Sequence, residues 1–138
     1  MAEADHILVV FENSGAGRRA LDEATAIADE HRARISVAII VAYERRSRGC
    51  CRSVQWNEIL DEIALEEVAI ARDILGDREP PPRFTIVPDR GTGTVRELVA
   101  QLGCDLVVVP ARRWAGRRSI RRLRGSLDVE VHAARARS

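Results

Sequence analysis

Four short runs of mostly apolar residues divide the chain, and the first two are apolar nearly throughout. The runs are Ile7–Phe11, Ile35–Val41, Phe84–Val87 and Leu106–Val109. Continuous hydrophobicity over so few residues is typical of strands covered on both faces, as in a parallel sheet. We therefore predict four parallel strands, of which the first, second and fourth are buried.

The segment after the first strand predicts a helix that runs to about Arg32. The turn Glu12–Gly17 precedes it and offers Asn13 or Ser14 as the N-cap. The apolar residues then recur at the spacing of one helical stripe. They are Ala20, Leu21, Ala24, Ile27 and Ala28.

Two further helices are predicted between the later strands. One runs from about Val54 to Gly76, with acidic residues on its solvent-exposed face. It ends before the prolines of Glu79–Pro82. Its inward candidates are Ile59, Ile63, Val68, Ala71 and Leu75. The other follows the turn Gly91–Thr94 and ends at Gly103. Its inward candidates are Val95, Leu98, Val99 and Leu102.

The last segment fits two interpretations. Ile120, Leu123, Leu127 and Val131 are spaced by 3, 4 and 4 residues, which favours a final helix. The stretch Leu127–Val131 also alternates between apolar and acidic residues, as a short strand does. We prefer the helix, and the order of elements is then βαβαβαβα. Such an order predicts one α/β domain over residues 1–138, an open parallel Rossmann-like sheet with helices on both faces.

Composition excludes several classes of protein. The net charge of +1 argues against a generally basic nucleic-acid binder, although all 22 basic residues are arginine and charge is segregated. No apolar run is long enough to span a membrane, and the N-terminus does not resemble a secretion signal, so we expect a cytoplasmic protein. Three cysteines do not form a disulfide framework.

Several stretches resemble the universal stress protein family, in register along essentially the whole chain. They are Glu12-Asn13-Ser14 with Arg19-Ala20-Leu21, then Asp89–Val99, Cys104–Val109 and Arg124–Leu127. The resemblance implies a strand order of 3-2-1-4. It also implies that ATP or AMP, as in many members, is held at the carboxyl ends of strands one, two and four.

The chain departs from the family pattern at the nucleotide-binding loop. Glu12 replaces the family's aspartate, and the first two loop glycines fall on Arg112 and Ala115. Gly116 is the surviving loop glycine, and only Gly125 and Ser126 match cleanly. The family's fifth strand, which often builds a homodimer, is not recognised, so strand four is expected to be an exposed edge.

Ligands of open parallel sheets bind at the carboxyl ends of the strands, where the strand order reverses. Three connections open there: Glu12–Gly17, Glu44–Arg52 and the arginine-rich Pro110–Arg124. The resemblance assigns the ribose to Glu12 and places Val41 near the adenine. The candidate nucleotide-binding residues are Glu12, Asn13, Ser14, Val41, Arg112, Arg113, Gly116, Gly125 and Ser126. Since glycines are lost, we expect arginine side chains to bind any phosphate.

Other interpretations remain open. One is that the arginines are simply solvated, and another is that they bind an acidic protein partner or nucleic acid. The segment Gly15–Ala20 matches a dinucleotide fingerprint, but three polar residues separate it from its strand. Cys50 and Cys51 lie among arginines, which suits a redox or metal role, whereas Trp114 suits base stacking or a dimer contact.

We find no catalytic set and no metal site in the sequence. Cys104 is expected in the core, and the three histidines, His6, His31 and His132, at the surface. The function predicted is a non-catalytic regulatory or stress-response module, a homodimer that requires no cofactor. Its candidate ligands are ATP, AMP or another phosphorylated anion, and it is expected to bind an adenine nucleotide weakly or not at all. The alternative is an interaction module that has lost its nucleotide site.

Overall fold

The computed structural model describes residues 5–43, 51–111 and 117–134, with the backbone alone at residues 51–53, 92 and 117–119. The strands are β1 His6–Val10, β2 Arg34–Val41, β3 Arg83–Pro88, β4 Leu106–Pro110 and β5 Glu130–Ala134. The helices are α1 Gly15–His31, α2 Cys51–Leu75, α3 Thr92–Leu102 and α4 Arg117–Ser126. No helix in the described ranges is both long and apolar enough to cross a bilayer.

All strand pairs are parallel, in the order β3-β2-β1-β4-β5. This arrangement confirms the α/β class and the 3-2-1-4 part of the predicted order. Strand β1 is fully buried at the centre, and alternate residues face two separate cores. Ile7 and Val9 face α1 and α2, whereas Leu8 and Val10 face α3 and α4.

The predicted absence of a fifth strand is wrong, and so is the predicted exposed edge on β4. Strand β5 pairs with all of β4, from Leu106 with Glu130 to Pro110 with Ala134. Leu123, Leu127 and Val131 are buried as expected, but the helix ends at Ser126 and Val131 belongs to the strand. The physical reason is that the backbone groups of β4 need hydrogen-bond partners, and a strand supplies them where a helix cannot.

The buried face of helix α2 differs from the prediction, because the helix is rotated about its axis. Ala71 and Leu75 are buried, as expected, together with Ala64. Ile59 and Ile63, predicted to face inward, are 45% and 42% exposed. The small side chains of the alanines let α2 pack closely on the sheet, and the larger isoleucines lie to one side of that contact.

His6 is the other correction, because it is buried rather than at the surface. Its Nδ1 lies 3.1 Å from the carbonyl oxygen of Leu102, which can only accept, so Nδ1 donates. Its Nε2 therefore accepts from the Ser36 hydroxyl at 2.7 Å. The Asp105 carboxylate accepts from the backbone N–H groups of Asp5 and His6. Together these bonds join β1, β2 and the end of α3 at the amino edge of the sheet.

Gly17 is required where the first turn of α1 approaches the preceding loop. Ser14 is the N-cap of α1, and its hydroxyl accepts from the N–H of Gly17 at 3.0 Å. A Cβ atom on Gly17 would lie 1.8 Å from the carbonyl oxygen of Glu12. Since that oxygen belongs to the backbone, the loop itself would have to move.

We predict that Gly17→Ala lowers the free energy of unfolding by about 1–3 kcal/mol, the cost of overpacking a rigid contact. The matched control is Gly93→Ala in α3, where a Cβ atom meets nothing within 4 Å. That variant should change stability by less than about 1 kcal/mol. Chemical denaturation of both variants measures the difference, and equal stabilities would contradict the prediction.

We also predict that His6 makes stability depend on pH. Burial, followed by the charge of Arg34, lowers the pKa of His6 from its ordinary value of 6.5. In the unfolded chain His6 is protonated near pH 6.5, whereas in the folded protein it is protonated only at a lower pH. The contribution of neutral His6 to the free energy of unfolding is therefore complete above pH 6.5. It is lost as the pH falls towards the pKa of His6 in the folded protein.

Urea unfolding from pH 7.5 downwards tests this prediction. The slope of stability against pH should flatten in His6→Gln but persist in His31→Gln, which changes a histidine outside the His6–Ser36 pair. An unchanged slope in His6→Gln would show that other groups cause it.

Candidate functional site

The candidate site lies at the carboxyl edge of the sheet, where the strand order reverses between β1 and β4. Because β1 connects to β2 on one side and β4 lies on the other, the strand order reverses here, and ligands of open parallel sheets bind at such a point. Glu12 follows β1 and Ala111 follows β4. The N–H of Ala111 donates to the carbonyl of Ala134 at 2.7 Å, which closes the β5 side of this edge.

Asn13 and Ser14 hold the loop after β1 in place. The N–H of Ser14 donates to the Glu12 carbonyl at 2.9 Å, and its hydroxyl caps α1. The N–H of Asn13 donates to the carboxylate of Glu67 on α2 at 2.8 Å. The Asn13 side-chain oxygen accepts from Arg18 at 3.3 Å. Both candidate residues therefore use their polar groups to shape the loop.

Glu12 differs from its two neighbours. Its side chain is half-buried at the start of the loop. Its backbone carbonyl accepts from the N–H of Ser14, but its carboxylate makes no hydrogen bond or ion pair to the part of the chain that the structure describes. A half-buried carboxylate at the switch point is suited to accept hydrogen bonds from a ligand's hydroxyl groups.

Val41 lies at the end of β2, with its side chain buried in the core below α1 and α2. Its carbonyl accepts from the N–H of Asp89 at 2.8 Å and from that of Tyr43 at 3.1 Å. Both lone pairs of this oxygen are used, so the carbonyl is not free for a ligand. Val41 instead fixes the ends of β2 and β3 and places Tyr43 at the edge.

Tyr43 is a residue that sequence reasoning missed. It is half-buried, and its hydroxyl donates to the carboxylate of Asp61 on α2. This hydrogen bond, followed by burial, raises the pKa of Tyr43 above its ordinary value of 10.0. The signal that could have found it is an aromatic residue directly after an apolar strand that ends at the site. An aromatic ring held there can stack on a base.

Gly125 and Ser126 are not brought together with Glu12. Helix α4 runs back from the carboxyl edge to the amino edge, since β5 begins opposite Leu106, the first residue of β4. Both residues lie in the last turn of α4, where the Ser126 hydroxyl donates to the Leu123 carbonyl at 2.9 Å. A helix C-terminus carries partial negative charge and does not favour phosphate.

The other loop candidates, Arg112, Arg113 and Gly116, lie outside the described residues, as do Trp114 and Cys50. Two arginines of α4, Arg121 and Arg122, are exposed, and α4 contains five arginines and no acid. Arg124 has a structural contact: its guanidinium donates to the Val131 carbonyl at 3.3 and 3.4 Å. It thereby joins α4 to β5.

Two further expectations can be placed. Cys104 is buried in the core, as predicted, and burial raises the pKa of its thiol to about 11. Such a thiol remains protonated near neutral pH and is a poor nucleophile. Among the described residues, no three His, Cys, Asp or Glu side chains are grouped as metal ligands.

Comparison with known proteins identifies the family of the chain. Residues 3–131 match the family model described as the universal stress protein family. No curated protein matches the sequence.

Solved structures show the same fold. The universal stress protein UspA from Lactobacillus plantarum is 21% identical, with a TM-score of 0.69 over 98% of this chain and 100% of that chain. A universal stress protein in complex with cAMP is 18% identical, with a TM-score of 0.66 over 99% and 100% of the two chains. One from Archaeoglobus fulgidus in complex with dAMP is 13% identical, with a TM-score of 0.63 over 96% and 99%.

We predict that Asp61→Asn lowers the pKa of Tyr43 towards 10, because it removes the carboxylate that stabilises the neutral phenol. Tyr43 is the only tyrosine in the chain, so the ultraviolet absorbance of phenolate reports it alone. Asp73→Asn on the same helix is the control and should leave the titration unchanged. Circular dichroism at each pH confirms that the fold is intact, and identical curves for Asp61→Asn and the wild type would contradict the contact.

Proposed function

Because the chain belongs to the universal stress protein family, we propose that it is a non-catalytic regulatory module that binds an adenine nucleotide, ATP or AMP. The site lies at the carboxyl edge of the sheet, between the loops that follow β1 and β4. The observation that carries the proposal is the half-buried carboxylate of Glu12, which has no partner among the described residues and lies at the switch point.

The base and ribose half of this site is formed by described residues. Glu12 accepts hydrogen bonds from the ribose hydroxyls, and its loop is held by the cap of Ser14 and the bond from Asn13 to Glu67. Tyr43 offers a ring for the base, since its hydroxyl is already engaged by Asp61. The solved relatives in complex with cAMP and dAMP support an adenine ligand for this fold.

The phosphate half does not fit a glycine cradle. Gly125 and Ser126, which would line such a cradle, lie at the other end of α4. We assign the phosphates to the side chains of Arg112 and Arg113, which follow β4 in the sequence. Arginine binds phosphate through two parallel hydrogen bonds and does not need the close backbone approach that glycine allows.

Two observations support a role without catalysis. A hydroxyl paired with an imidazole occurs at Ser36 and His6, but both side chains are buried at the amino edge, away from the proposed site. The described Cys104 is a buried thiol with a raised pKa. Neither group can attack a nucleotide bound at the carboxyl edge. The protein would then act through the bound state rather than through turnover.

Calorimetric titration with ATP, AMP and adenosine tests the proposal. ATP should bind more tightly than AMP, and AMP more tightly than adenosine, because each phosphate adds contacts to arginine. Glu12→Gln should weaken all three about tenfold or more, the usual effect of losing a hydrogen bond to a charged group. The Arg112→Ala/Arg113→Ala variant should remove the preference for ATP and keep adenosine binding.

Arg96→Ala, which changes an exposed arginine on α3, is the control and should behave as the wild type. No heat with ATP or AMP at millimolar concentration would overturn nucleotide binding. Release of phosphate from ATP, at a rate reduced in Glu12→Gln, would overturn the non-catalytic part.

A further inference from the structure

Exposed large apolar side chains are concentrated on α2. The six in the described ranges that are more than a third exposed all belong to this helix. They are Val54, Trp56, Ile59, Ile63, Leu65 and Ile74. Single exposed apolar residues are ordinary on protein surfaces, but a group confined to one element marks an interaction surface.

Four of the six lie on one face of the helix and define a stripe. Trp56, Ile59, Ile63 and Ile74 follow one another by 3, 4 and 11 residues, which are spacings of a single helical face. Ile70, partly buried, fills the longer gap. The stripe, defined by these five residues, extends over 18 residues or about 27 Å along the helix. Leu65 is the most exposed of the six, at 62%, and lies on the opposite side of α2.

The position of the stripe follows from the contacts of its neighbours. Ala64, Ala71 and Leu75 point to the sheet, so the stripe lies beside the buried face. Glu67, on the next row of α2, accepts from the N–H of Asn13 at the start of α1. The stripe therefore occupies the outer side of the junction between α1 and α2, where another helix can be accommodated.

The other border of the stripe is acidic. Glu58, Glu62, Glu66 and Asp73 are exposed and recur by 4, 4 and 7 residues, which places them on one row about 90° round the helix from the stripe. Helix α2 contains six acids but only two arginines. An apolar stripe along an acidic row is complementary to a helix with an apolar face and basic flanks.

We propose that the stripe on α2 is the docking site for a basic amphipathic helix of a partner protein. Such a helix buries the exposed tryptophan and isoleucines and pairs its lysines or arginines with the acidic row. About 18 residues of helix match the length of the stripe. A second copy docked through its own α2 is disfavoured, because it would bring two acidic rows together.

The inference does not rest on the nucleotide site, and it can be tested without it. The probe is a synthetic 18-residue peptide with leucine at the helical positions of one face and arginine on both flanks. A peptide of the same composition in scrambled order and one with glutamate for arginine are the comparison ligands. In a Trp114→Phe background Trp56 is the only tryptophan, so its fluorescence reports the stripe.

We expect the amphipathic peptide to shift the Trp56 emission to the blue and to saturate. Ile59→Ser/Ile63→Ser and, separately, Glu62→Lys/Glu66→Lys should each weaken binding at least tenfold. Two matched controls should retain it. Leu65→Ser removes a more exposed apolar residue from the other side of α2, and Glu97→Lys/Glu130→Lys makes the same change of charge on α3 and β5.

Several results would overturn the proposal. They are no binding of the amphipathic peptide, equal binding of the scrambled peptide, or an equal loss of binding in Leu65→Ser. Sedimentation of the wild type and of Ile59→Ser/Ile63→Ser provides the remaining test. Self-association that disappears in this variant would assign the stripe to a second copy instead.

Discussion

Strand β1 is buried on both faces, and its backbone polar groups can be satisfied only by strands on both sides. β2 and β4 provide these bonds. The outer backbone groups of β2 and β4 need partners in turn, and β3 and β5 provide them. At the amino edge, the His6–Ser36 bond and the Asp105 carboxylate extend this pairing with side chains. The positions of all four helices follow, since each connects two parallel strands and must cross one face of the sheet.

The candidate site is a result of that topology. Because the chain leaves β1 in one direction and reaches β4 from the other, this edge is the place where ligands of open parallel sheets bind, whatever residues line it. What the residues decide is the ligand that fits. Glu12 gives this edge a carboxylate, and Tyr43 gives it a ring, while the α4 end of the glycine pattern lies too far away to contribute.

Strands β1, β2 and β4 were predictable because short, almost continuous apolar runs are typical of strands covered on both faces. Strand β3 is only half-buried. Helix α2 was predictable in extent but not in rotation, since Ile59 and Ile63 form one apolar row and Ala64 and Ala71 form another. Periodicity identifies such rows, and only packing against the sheet selects between them.

The last segment shows the same limit. The spacing from Ile120 to Val131 suits a helix. The end of this segment is nevertheless a strand, because the backbone groups of β4 need hydrogen-bond partners. Of the site, the loop after β1 could be located from the sequence. Tyr43 could have been noted as an aromatic residue directly after an apolar strand, but its contact with Asp61 on α2 depends on tertiary packing.

The distribution of charge has a consequence for how other molecules approach. The total charge is only +1, but the acids of α2 and the arginines of α4 lie on opposite faces of the sheet. The charges of these two helices therefore produce an electric dipole across the sheet. An approaching cationic molecule is turned towards α2, and an anionic one towards α4, before either makes contact. This orientation acts on association rates and weakens as salt shortens the range of the field.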